Sequence, residues 1–247
     1  MDKKFPMRVN KYLAEEKHST RRGADELISQ GNVYINGEVA KLGQMVEKGD
    51  HVEVRYRAGK QKKKYIYLAY HKPRGVVTHS ADEGDEDIKD RMGDKDVFPV
   101  GRLDKDSSGL IILTNDGRIT ERLLSPEYYH EKEYIVTTKE KLRNNFEEKM
   151  EAGVQIDADK TRPCVVEILE NNPPSPKAPA GQGKFSIVLT EGKKHQIRRM
   201  CTALFQSVDT LKRVRIMNIT LGGLKEDAYR NIEGEELATL LKALEVI

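Results

Sequence analysis

The stretch 101-GRLDKDSSGLIILTNDG-117 decides how the rest of the chain is read. Its centre sets oxygen-bearing side chains at Asp104, Asp106 and Ser108 and then a glycine, Gly109, the spacing that opens an EF-hand calcium loop. Such a loop needs a bidentate glutamate at its twelfth position, where this chain has Asn115, and a helix on either side. Pro99 and Gly101 break an upstream helix, and the downstream LIILTN (110–115) reads as a strand, so the calcium reading fails twice. Two readings remain. In one, a hairpin turn uses its aspartates to satisfy local backbone donors, with Ser108 and Gly109 as turn chemistry. In the other, a strand–turn–strand presents Asp104 for chemistry, with Arg102 two residues earlier and therefore on the same face. An arginine placed there would favour the ionised carboxylate, a nucleophile or base.

The chain has 247 residues, 37% hydrophobic and 34% charged, enough for a small domain plus a larger one with a core of its own. No apolar run approaches the roughly 18 residues of a membrane span, and the N-terminal MDKKFPMRVNKYLAEE has no apolar signal-peptide core. Two cysteines, Cys164 and Cys201, make no disulfide framework, which fits a reducing cytoplasm. The net charge of +3 is unevenly spread: residues 1–64 carry 15 basic against 9 acidic side chains, and residues 191–215 carry 7 against 2. Two basic patches suit a polyanionic partner, although solvated surface lysines produce the same count.

Outward from the opening stretch, the chain divides. MRVNKYLAEEK spaces Val9, Tyr12 and Leu13 as one helix face, and RRGADELISQ is a second helix that Ser19 or Thr20 can cap and Gly31 ends. NVYINGEVA carries Asn36-Gly37, a strong hairpin signal, and GDHVEVRY is a further strand. A small domain is expected over 1–56, a basic linker over 57–64 (RAGKQKKK), and a larger domain over 65–247. In the latter, strands are expected at YIYLAYHK, VFPVGRL, LIILTND, KEYIVTT, PCVVEILE, KFSIVLTEG and VRIMNITLGGL, and helices at RITERLLS, KLRNNFEEKMEAG, HQIRRMCTALF and EELATLLKAL. The Pro/Gly-rich 171–183 reads as a mobile loop. The spacing predicts an α+β fold with a mixed, largely antiparallel sheet rather than regular βαβ units.

A second constellation is EGKKHQIRRM (191–200): as a helix it buries Ile197, Met200, Cys201 and Leu204, sets Arg198 at the stripe's edge and turns Arg199 outward. An edge arginine can enter a cleft and an outward one can meet phosphate, or both are ordinary surface side chains. Tyr134 opens the strand after HEKE, a position that core tyrosines also take, and His195 lacks a spaced second ligand for zinc.

Together FPVGRLDKDSSGLIILTNDG, HEKEYIV, LTEGKKHQIRRMC, LKRVRIMNITLGGL and YHKPRGVVT (70–78) resemble, in order, the signatures of the RsuA family of pseudouridine synthases, and residues 8–54 resemble an S4 RNA-binding domain. The resemblance implies a cofactor-free, metal-free isomerisation of uridine to pseudouridine in ribosomal RNA, 23S first, with 16S rRNA or tRNA as alternatives. It implies Asp104 as the catalytic aspartate, with Arg102, Tyr134 and Arg198 at the substrate and Arg198 paired with Asp104. Arg8, Lys11, Arg21, Arg22, Lys72, Arg74, Lys193, Lys194, His195 and Arg199 would then contact the RNA. A monomer free of membranes is expected. The rival from another class is an S4-type ribosome-binding factor without chemistry, which has no need of an arginine-paired aspartate.

Overall fold

The computed structural model describes residues 5–16, 18–19, 21–55, 64–79, 84–172 and 181–246, without the side chain of Arg22. They belong to two compact units, Met1–Tyr65 with Asp116–Arg118, and Ile66–Asn115 with Ile119–Ile247. The first unit thus runs past the expected end at Tyr56, and the expected linker, except Lys64, lies outside the described residues.

The small unit is built from β1 (Met7–Arg8), α1 (Val9–Glu15), α2 (Arg21–Ser29), β2 (Val33–Ile35), β3 (Glu38–Val39), β4 (Met45–Val46) and β5 (Val52–Val54). Val9 and Leu13 stand one turn apart on α1, and Ala24, Leu27 and Ile28 share a face of α2. They close over Val33, Ile35, Ala40 and Val46 as one apolar core. Strands β3, β2 and β5 form a sheet in that order, and Asn36 and Gly37 take the positive φ values (51° and 87°) of a tight hairpin turn. The first helix begins two residues later than its apolar spacing predicts, because Met7 and Arg8 pair with Val46 and Met45 instead.

The larger unit continues with β6 (Tyr67–Lys72), α3 (Ile88–Met92), β7 (Phe98–Val100), β8 (Ser108–Thr114), α4 (Arg118–Leu124), β9 (Lys132–Thr138), α5 (Phe146–Glu151), β10 (Gln155–Ile156), β11 (Asp159–Lys160), β12 (Val165–Asn172), β13 (Gln182–Leu189), α6 (Gln196–Ala203), β14 (Val208–Ile216), β15 (Ile219–Thr220), β16 (Tyr229–Asn231) and α7 (Gly234–Ala243). Its sheet of nine strands has the order β12-β13-β9-β14-β8-β6-β16, with β15 on β14 and β7 on β8. Every pairing is antiparallel except β8 with β14, so the sheet is mixed and largely antiparallel. Strands β12 and β13 extend into the stretch read as a loop, through Asn172 and from Gln182, and 173–180 lies outside the described residues.

Alternation along the strands separates two faces. Leu110 and Ile112 face α4 and α7 through Ile119, Leu123, Leu240 and Leu244. Ile111 and Leu113 face α3 through Ile88 and Met92. On that second face, farther across the sheet, Val136, Phe185, Ile187 and Leu211 pack on α5 and α6. One cross-strand row joins the two patches: Lys72 opposite Gly109, Gly109 beside Arg213, Arg213 opposite Tyr134, Tyr134 opposite Ile187. Residues directly opposite one another point to the same face, so this row is a strip of chemistry between two apolar clusters.

Gly109 makes the row possible. It is a strand residue rather than the turn residue its neighbours suggested, with φ +112°. A Cβ there would stand 2.2 Å from the Arg213 carbonyl oxygen and 2.6 Å from its nitrogen. Gly109→Ala should therefore destabilise the unit by roughly 3 kcal/mol, from overpacking and the positive φ together. Gly75→Ala shares the sign of φ (+92°) but has nothing within 4 Å of the new Cβ, and should cost only about 1 kcal/mol. Equal losses in urea titrations of the two variants would contradict this account of Gly109.

Candidate active site

Asp104 lies in the irregular segment between β7 and β8, and its position is set by backbone contacts on several sides. Thr78, buried, donates its hydroxyl to the Leu103 carbonyl (2.7 Å) and accepts from the Leu103 N–H (3.1 Å). The Gly75 N–H donates to the Lys105 carbonyl (2.8 Å), and the Ser107 N–H donates to that of Asp104 itself (3.0 Å). Arg198, from α6, donates through Nη2 to the Asp106 carbonyl at 3.1 Å. The aspartate is thus presented by a loop held at Leu103, Lys105 and Asp106, with its side chain about one-third exposed (34%). Such fixing is what a reacting group requires, since small misplacements cost large factors in rate.

The arginine pairings differ from expectation. Arg102 is exposed, and among the described residues neither it nor Arg198 forms an ion pair with Asp104. The two-residue alternation that would put Arg102 and Asp104 on one face holds only in a strand, and the chain between Val100 and Ser108 is not one. Asp104 instead meets His195, whose Nδ1 is 3.2 Å from Oδ2. His195 is the residue before α6 and has a left-handed backbone, φ 50°. Its side chain, 45% exposed, thus lies beside the carboxylate.

The cross-strand row supplies the rest. Tyr134 packs on the cluster beneath α5 and α6 and remains half-buried. Arg213 is 4% exposed, with Cζ 6.0 Å from the centre of the Tyr134 ring and Nε donating to the Leu110 carbonyl at 2.7 Å. Lys72 is fully buried and donates to the Pro73 and Val76 carbonyls at 2.9 and 2.8 Å. That corrects its assignment to the RNA surface: its amine closes the turn before Val76 and reaches no solvent. Burial pulls its ammonium down to about 8, with the Asp104 charge opposing the fall and Arg213 adding to it. Lys132, two residues before Tyr134 on β9, is likewise brought down to about 8 by burial and then by Arg213. Lys72 thus links this row of cations to the Asp104 carboxylate. Burial pushes the thiols of Cys164 and Cys201 up to about 12, which removes thiolate chemistry.

Of the other basic candidates in this unit, Lys194 is exposed, Lys193 pairs with Asp159 at 3.3 Å, Arg199 pairs with Asp157, and Arg74 lies 3.9 Å from Asp106. In the small unit Arg8 and Arg21 are exposed and Lys11 pairs with Glu15 one turn on, at 3.5 Å. Thr78, Lys132 and Arg213 carry no signal in motif spacing. Only the alternation of LKRVRIM, which turns Arg213 to the face of Leu211, could have marked one of them.

Comparison with known proteins now becomes informative. The RNA pseudouridylate synthase family matches residues 66–203, and the S4 domain matches residues 7–52. The dual-specificity RNA pseudouridine synthase RluF of Escherichia coli strain K12 is 38% identical over 242 residues, covering 97% of this chain and 80% of its own. This agrees with HEKEYIVTT, KRVRIMNITLGGL and YRNIEGEEL, which within the family most resemble ribosomal large subunit pseudouridine synthase F. The ribosomal large subunit pseudouridine synthase B of Bacillus subtilis strain 168 is 31% identical over 237 residues, covering 94% of this chain and 95% of its own. A crystal structure of a pseudouridylate synthase superposes with a TM-score of 0.68 at 27% identity, covering 95% of this chain and 99% of that one. With Asp104 held on its loop, an S4 domain before it and relatives of this kind along nearly its whole length, the chain belongs to the RNA pseudouridine synthases, in the RsuA family.

Proposed function

We propose that the protein isomerises a uridine of ribosomal RNA to pseudouridine in the cytoplasm, 23S rRNA being the first target to test, with Asp104 as the catalytic carboxylate and no cofactor. The observation that carries this reading is the presentation of Asp104 by a loop tied down at Leu103, Lys105 and Asp106. The rRNA target rests on the kinship to the ribosomal large subunit pseudouridine synthase B of Bacillus subtilis, and the dual specificity of the Escherichia coli relative keeps a second RNA, tRNA included, open.

In the reaction the N1–C1′ bond breaks, the base turns, C5 bonds to C1′, and the C5 proton is lost while N1 gains one, so every heavy atom stays within the nucleotide. No redox step and no outside nucleophile is required, and one carboxylate suffices to attack the sugar or the base or to take a sugar proton. A hydrolase cleaving a glycosidic bond would use two flanking carboxyl groups. Asp106, the near candidate for a second, is exposed and lies beside Arg74. The target base must leave its stack at a cost on the order of a few kcal/mol, partly recovered by stacking in the pocket. Tyr134 is the ring on which it would stack and the group that would receive the C5 proton. Arg198 donates to the Asp106 carbonyl on the Asp104 loop and would stand at the substrate's edge. Lys193, Lys194 and Arg199, with Arg8, Lys11, Arg21 and Arg22 of the S4 domain, would meet phosphates and position the RNA without reading its sequence.

Asp104→Asn should abolish pseudouridine formation on rRNA transcripts and leave RNA affinity within about twofold of wild type, because phosphate contacts supply most of the affinity. Turnover at the wild-type rate would remove Asp104 from the chemistry. Thr78→Val keeps the shape and deletes both hydrogen bonds to Leu103. It should lower kcat by roughly tenfold to a hundredfold through looser placement of Asp104, with KM little changed. A rise in KM at constant kcat would mean that Thr78 serves binding instead.

A further inference from the structure

Arg213 is the least explained group in the site. It is 4% exposed, yet its Nη2 has no hydrogen-bond partner, while Nε is committed to the Leu110 carbonyl at 2.7 Å. A buried donor left unmet costs about 1–3 kcal/mol, more when it is charged. Packing does not require such a cost here, since the row position pairs Arg213 with Gly109 and Tyr134, and its neighbours at Lys72 and Lys132 are cations that cannot accept.

We propose that Nη2 of Arg213 donates to a carbonyl oxygen of the target uracil, making Arg213 the residue that reads the base. The inference rests on the pseudouridine synthase reading with Tyr134 as the stacking ring. A base lying against Tyr134 has its carbonyl edges within reach of a guanidinium whose Cζ is 6.0 Å from the ring centre. Both groups rise from one cross-strand row in the sheet, which forms the floor of the site, whereas Lys194 is exposed and Lys193 and Arg199 are only partly buried at its rim. A floor group meets the base, and rim groups meet the backbone. With O4 as the acceptor the donor also discriminates, since cytosine presents an amino group there and would leave Nη2 unmet, whereas O2 is common to both bases. When the N1–C1′ bond breaks and negative charge spreads onto the uracil oxygens, the same contact becomes charge-assisted on both sides.

The test is a cycle between side chain and substrate atom. Single-turnover rates are measured for wild type, Arg213→Gln and Arg213→Lys on RNA whose target uridine is unmodified, 2-thio, 4-thio, or preceded by a methylphosphonate. Folding of each variant is checked by thermal melting. The expected result is that one thio substitution slows wild type about tenfold, the equivalent of one good hydrogen bond, and slows the variants less than twofold. Arg213→Lys keeps the buried charge and decides the matter if Arg213→Gln does not fold. Thio effects equal in wild type and variants, or absent in wild type, overturn the proposal. A methylphosphonate effect that vanishes with Arg213 also overturns it, by reassigning the residue to phosphate. Absence of product from wild type on unmodified RNA would instead defeat the functional reading itself.

Discussion

The catalytic unit depends on one close approach. Strands β8 and β14 run parallel in a sheet otherwise antiparallel, and they meet where Gly109 faces Arg213 with no room for a Cβ. That contact brings β6 and β8 to one side and β9, β13 and β12 to the other. The Asp104 loop feeds directly into β8, Tyr134 rises from β9, and β14 pairs with both strands. A glycine in the most apolar strand of the unit is thus a constraint on the site as much as on the fold.

The electrostatics follow from the same placement. Lys72, Arg213 and Lys132 are held in or near the sheet where water cannot solvate them fully, and the lysines respond by binding their protons less tightly. Each cation keeps a backbone acceptor: Pro73 and Val76 for Lys72, Leu110 for Arg213, His130 for Lys132. They form a strip of positive charge along the sheet, and its Lys72 end feels the Asp104 charge. Such a strip suits a reaction in which a bound base carries negative charge for part of its path and no metal balances it.

Much of this was legible in the residues. Alternation and helical spacing marked the core faces, the Asn36-Gly37 hairpin and most of the strands and helices, because those depend on local patterning. The ends of elements were less so. The helix read over 141–153 begins only at Phe146, since Asn145 is left-handed (φ 58°) and Leu142 is instead bonded to Asn171. Strand β14 starts at Val208, ahead of its apolar run, because Val208–Leu211 pair with β9. Within the site, Asp104, Tyr134 and Arg198 stand out by motif, but their partners do not. Lysine at position 72 looks like a surface residue until the turn that covers it is known. Likewise the approach of His195 to Asp104 is hidden until α6 is placed. Burial of polar groups is decided by what folds over them from distant sequence, and spacing carries none of that.

The most direct measurement of the central claim is a map of pseudouridines in rRNA and tRNA from cells with the gene, without it, and with only the Asp104→Asn form restored. One or a few ribosomal RNA positions should lose pseudouridine when the gene is absent, regain it with wild type, and remain uridine with Asp104→Asn. Identical maps in all the strains, or full restoration by Asp104→Asn, would contradict the account.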